Sequence, residues 1–137
     1  MKPTPADPHL LLVTPDDGQA RALAAALERR GWRVSRTDSA AGALPLWDDS
    51  GAQVALVDFD ADRTGALALL AASQQLSPPR RAVLLTADLS VARLSGALKQ
   101  PLGLSGVVVR PCDVDAVSDA LARAFDTVSR WVLALAG

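Results

Sequence analysis

Short, continuously apolar runs alternate with amphipathic stretches along this chain. Residues 9–13 (HLLLV), 54–58 (VALVD), 82–86 (AVLLT) and 106–109 (GVVV) show no polar alternation. Runs of that length between turn formers predict strands covered on both faces. A weaker strand is expected over 32–37, apolar at Trp32 and Val34. Between the strands the period lengthens. Ala20, Leu23, Ala24 and Leu27 share one face of a helix over 19–30, which Gly31 ends as a C′ residue. Asp38 or Ser39 is expected to cap a short helix through Asp49, bent or shortened by Pro45. Leu67, Leu70 and Ala71 mark a helix over 64–76, ended by Pro78 and Pro79. A further helix is expected over 90–99. Asp113 then caps a last helix running to about Ala136.

Five strands alternating with five helices predict an α/β fold, a parallel sheet with helices on both faces. Residues 1–8 hold three prolines and no apolar core, so they read as a disordered leader and not as a signal peptide. The body is expected over 9–126, with 127–137 extending the last helix.

Composition narrows the function classes. Half the residues are hydrophobic and 21% charged, as in a globular domain large enough to fold without staples. Fourteen basic and fifteen acidic residues leave a net charge of −1. Arg29, Arg30, Arg33 and Arg36 cluster, but read as a solvated helix end and strand edge, so no nucleic-acid contact is expected. The single Cys112 excludes an internal disulfide and reads as an inert thiol. His9 has no evident partner acid and reads as a strand-edge residue. No run approaches the ~20 apolar residues of a membrane span, so a cytoplasmic location is expected.

In a sheet of this type, chemistry sits at the carboxyl ends of the strands. The first ends in Thr14, Pro15, Asp16 and Asp17. The third ends in Asp58, followed by Asp60 and Asp62. The fourth ends in Thr86 and Ala87, and the fifth in Arg110 and Pro111. Converging, these ends would place a carboxylate, a hydroxyl and a guanidinium in one pocket.

The combination LLLV, ALVD, VLLTA and VVRP over roughly residues 9–125 resembles the receiver domain of two-component response regulators. The resemblance implies a doubly wound, flavodoxin-like sheet of order 2-1-3-4-5. It assigns Asp58 as phosphoacceptor, a carboxylate nucleophile toward a phosphohistidine or small phosphodonor. Thr86 takes the place of the switch hydroxyl that moves toward the phosphoryl group, and Ala87 that of the small residue beside it. Arg110 stands where the family has lysine, followed by the family's proline, Pro111. The implied partner is a sensor histidine kinase or another signalling protein, and no turnover enzyme is expected. Receivers also meet partners, or a second copy, through the fourth helix, fifth strand and fifth helix, here 90–99, 106–109 and 114–125.

The departures are equally informative. An ungapped match puts Thr14 and Pro15 where the family holds Mg²⁺ with two acids, and neither supplies a carboxylate. Asp16 and Asp17 would join Asp58 and Asp60 as metal ligands only if the strand shifted by one residue. Arg110 is a planar fork in place of a point charge, able to pair with Asp58 and lock the pocket. The aromatic position before it falls on Val107. These changes point to an atypical pseudo-receiver acting as an interaction module without phosphate. A working phosphoacceptor at Asp58 is the first alternative. A flavodoxin-like small-molecule binder is the second, opposed by the lack of a Gly-rich phosphate loop. Thr86 also reads as an ordinary capping hydroxyl, and Asp60 and Asp62 as solvated loop acids. Beyond the body, Val128, Trp131, Val132 and Leu135 continue the apolar stripe, which either folds back onto the domain or meets a partner or second copy.

Overall fold

The computed structural model describes residues 8–15, 17–76, 80–93 and 102–136, with 129–136 by backbone alone. Its elements run β1 (His9–Val13), α1 (Gly18–Arg29), β2 (Arg33–Thr37), α2 (Ala43–Ser50), β3 (Val54–Asp58), α3 (Arg63–Ser73), β4 (Arg81–Thr86), β5 (Leu104–Val109) and α4 (Val114–Ala136). The strands are all parallel and ordered β2-β1-β3-β4-β5. The doubly wound order implied by the resemblance is therefore the observed one.

The apolar runs lack alternation because both faces of the sheet are covered. Leu11, Val13, Ala55, Val57 and Leu84 point to one face, under Trp47 of α2 and Leu70 of α3. Leu10, Leu12, Leu56, Val83 and Leu85 point to the other, under Leu27 of α1 and Leu121 of α4. Central β3 has no exposure at any residue from Val54 through Val57. Trp32 and Phe125 meet edge to face, with centroids 6.1 Å apart, and join the end of α1 to α4.

Helix ends follow local chemistry. Asp17, Asp62 and Asp113 each accept a backbone N–H of the first turn, from Ala20 at 2.8 Å, Gly65 at 2.9 Å and Ala116 at 2.8 Å. Gly31 follows α1 at φ +96°, the left-handed conformation expected of it. Asp38 and Ser39 do not cap α2. Gly42 precedes that helix without a side-chain cap, and Ser39 Oγ closes a local turn with Ala41 N–H at 3.2 Å. The late start puts Pro45 in the first turn, where a missing N–H removes no helical bond.

β5 begins two residues before the expected 106. Ala82 pairs with Leu104 but Val83 with Gly106, so Ser105 is an extra residue and its hydroxyl accepts from Arg81 Nε at 2.9 Å. The helix expected over 90–99 is helical at 89–93. Residues 94–101, like Pro78, Pro79 and most of the expected leader, lie outside the described residues.

His9 opens β1 with no acid as partner, as expected, but it is buried, and its Nε2 lies 2.8 Å from Ser35 Oγ on β2. Burial, and then the charge of Arg33, push its pKa below the ordinary value. The folded state therefore resists protonating it. The resulting stability is full above the unfolded value and declines as pH falls through that value toward the lowered one. His9 is the single histidine. The urea midpoint should fall between pH 7.5 and 5 in the native chain and stay nearly flat over that range in His9→Gln.

Candidate functional site

Parallel register brings four strand ends to one rim. Val13 is level with Val57, Asp58 with Leu85, and Thr86 with Val109. Phe59 N–H donates to Leu85 O at 2.9 Å and Arg110 N–H to Thr86 O at 2.7 Å, which extends the ladder past the strands. Thr14, Asp58, Thr86 and Arg110 thus lie at the same end of the sheet, where the apolar runs stop.

Asp58 takes three long hydrogen bonds, each 3.3 Å: Thr14 Oγ1 and Arg110 Nη2 donate to Oδ2, and Ala61 N–H to Oδ1. Its side chain is 9% exposed, while that of Arg110 is 36% exposed. A carboxylate this covered needs a counter-charge, and Arg110 supplies it from the end of β5. The Arg110–Pro111 peptide bond is cis. Asp58 and Arg110 line a cleft of about 550 Å³ between the starts of α1 and α4, with Leu23, Leu85 and Val117 as part of its apolar wall.

Thr86 and Ala87 do not face Asp58's carboxylate. Thr86 Oγ1 donates to Asp60 Oδ1 at 2.6 Å, and Ala87 N–H to Asp60 Oδ2 at 2.8 Å. Arg63 Nη2 bridges Asp60 Oδ1 at 3.2 Å and Asp88 Oδ2 at 3.1 Å, and its guanidinium lies 5.1 Å from the centroid of the Phe59 ring. Asp88 in turn accepts from Ser90 N–H and Oγ at 2.9 and 2.7 Å. Asp60 and Asp62 are exposed loop acids, as expected, but each is hydrogen-bonded: one binds the end of β4 and the other caps α3. The amide of Ala87 and the hydroxyl of Thr86 hold Asp60 below the ordinary carboxylate range, and the hydroxyl and amide of Ser90 do the same for Asp88. Burial raises the Cys112 thiol above its ordinary value, which suits an inert role.

The donors expected for Mg²⁺ do not assemble among the described residues. Asp17 points its carboxylate into its own helix, Asp60 reaches toward β4, and Thr14 donates to Asp58 instead of joining it as an acid. No group of three His, Cys, Asp or Glu side chains that could hold a metal forms among the described residues. Asp16 lies outside them, as do the side chains of Trp131, Val132 and Leu135. Mg²⁺ favours a set of hard oxygens, and a guanidinium beside the one central carboxylate opposes it. The described donor set does not fit the ion.

A five-stranded parallel sheet of this order, with an aspartate closing its central strand, defines a receiver-type fold. No family model matches the chain. It is 28% identical over 128 residues to the transcriptional regulatory protein GlrR of Escherichia coli (strain K12), which covers 90% of this chain and 28% of that protein. It is 25% identical over 115 residues to the photosynthetic apparatus regulatory protein RegA of Rhodobacter capsulatus, covering 84% of this chain and 61% of that one. The chain thus spans less than a third of GlrR. Among solved structures, a sensor protein from Polaromonas sp. JS666 superposes with TM-score 0.75 at 26% identity, covering 88% and 98% of the two chains. The signal receiver domain of an HD domain-containing protein from Pseudomonas fluorescens Pf-5 superposes at 0.79 with 19% identity, covering 95% of each, and supports the fold. In fold, and in sequence at 25–28% identity, the chain is similar to response-regulator receiver domains of two-component signalling.

Removing Arg110 leaves Asp58 with neutral donors only. Because the arginine is more than a third exposed and its bond long, Arg110→Ala should cost about 1 kcal/mol in urea denaturation. In Asp58→Asn the same change should cost less, and the two effects should not add.

Proposed function

We propose that this receiver works as an interaction module whose conformation does not depend on phosphorylation of Asp58. The observation that carries the reading is the Arg110–Asp58 pair: the would-be nucleophile is already engaged by a guanidinium at the end of β5. The donor set supports it as well. Phosphoryl transfer to a carboxylate needs cationic stabilisation of the transferring group. Among the described residues at the first strand end, Thr14 and Pro15 bring no metal-binding acid to that task. Arg110 would have to leave Asp58 to provide it.

The likeness to receivers implies a histidine kinase or another signalling protein as partner, and a signalling module without turnover. In our reading the partner recognises this domain's surface directly. No helix among the described residues is long and apolar enough to cross a membrane, so the reading needs no bilayer. The phospho-accepting alternative has one observation in its favour, since Asp58 lines the open cleft and a small phosphodonor could reach it.

Intact mass after incubation with acetyl phosphate and Mg²⁺, with Asp58→Asn as control, separates the two. The expected result is no added phosphoryl mass. A gain of one phosphoryl group that the control lacks would sink the proposal and leave the phospho-accepting alternative.

A further inference from the structure

Three donors from two segments converge on one carboxylate two positions beyond Asp58. The Thr86 hydroxyl, fully buried, and the Ala87 amide bind the two oxygens of Asp60 separately, and Arg63 adds its guanidinium from the first turn of α3. A hydroxyl, a backbone amide and a guanidinium aimed at one place form a cradle for an oxyanion. None of the three donates to Asp58, whose own donors are Thr14, Ala61 and Arg110. Two carboxylates two positions apart thus occupy separate donor sets, one from beyond β1 and β5 and the loop itself, the other from the end of β4 and α3.

We infer that the Asp60 carboxylate is a chain-borne anionic ligand of the Thr86–Ala87 cradle, and that it holds the loop after β4 in one arrangement with no external anion. The inference rests on the phosphorylation-independent reading for its biological sense. The loop bearing Asp60 is short and anchored at both ends. Asp58 closes the central strand before it, and Asp62 caps α3 after it. Asp60 therefore reaches β4 without unwinding either element. From the cradle the order continues outward. Asp88 N–H donates back to Thr86 Oγ1 at 3.0 Å, Asp88 pairs with Arg63, and its carboxylate binds Ser90 at the start of the helical residues 89–93. An external anion seeking the Thr86 hydroxyl would have to displace Asp60 first. The lowered pKa of Asp60 agrees with a carboxylate that stays charged in its cradle at neutral pH.

The test is amide hydrogen exchange read by NMR in the full chain. Ala87 is exposed, so protection of its amide comes from Asp60 and not from burial. In Asp60→Asn the Ala87 amide should exchange about tenfold faster or more, while Leu84 within β4 keeps its protection. Unchanged exchange at Ala87 would overturn the inference. Should Asp60→Asn lose protection at Leu84 as well, titration of the Asp60 carboxyl in Thr86→Val decides. A rise toward the ordinary value supports the cradle, and no change refutes it. The two proposals fail separately. Phosphorylation of the native chain with a fast Ala87 amide in Asp60→Asn would end the phosphate-independent reading and leave the cradle standing. No phosphorylation with an unmoved Ala87 amide would do the reverse.

Discussion

Central β3 has no side open to water, and it ends in an acid. From Val54 to Val57 its side chains are sealed between two helical layers, and Asp58 comes next in line. A carboxylate at the mouth of such a strand must be matched by whatever its neighbours bring to the same level. Parallel register decides what they bring: Thr14 from beyond β1, Leu85 and Thr86 from β4, Arg110 from beyond β5. The rest of the rim is arranged around that demand. Arg110 is held to Asp58, and with the cation drawn there, the polar groups of β4 take their anion from the adjoining loop.

Replacing lysine by arginine and the paired acids by Thr14 and Pro15 changes the electrostatic balance in a consistent direction. In the ungapped match, the absence of two carboxylates at the first strand end would reduce the attraction for a divalent ion. The guanidinium that remains is broad enough to bond Asp58 while partly exposed. A site built to gather a metal and a phosphoryl group must carry unsatisfied charge while waiting for them. At this rim, Asp17, Asp58, Asp60, Asp62, Asp88 and Asp113 each accept a hydrogen bond from within the chain.

Features set by local sequence were legible in advance. Strands β1, β3 and β4 announced themselves as unbroken apolar runs because the helices cover both faces. Gly31 and Asp113 mark helix boundaries through chemistry that needs only the next few residues. The strand order and the gathering of Thr14, Asp58, Thr86 and Arg110 came from the resemblance. What escaped depends on distance along the chain. Asp60 looks like an ordinary loop acid until Thr86 and Ala87, more than twenty residues later, are placed beside it. Asp17 matches a metal ligand by composition, but the nearby N–H of Ala20 claims it first. The extra residue Ser105 in β5 is invisible to periodicity because it leaves the apolar run intact. The burial of His9 was equally hidden, since Ser35 reaches it from another strand.

α4 has 23 residues, while the strands it crosses have five or six. At ~1.5 Å per residue the helix is about 34 Å long, well beyond the ~20 Å of a six-residue strand. Its early turns, from Val117 through Val128, are seated on the sheet and α1. Its last eight residues, 129–136, thus exceed the span that the strands alone can seat.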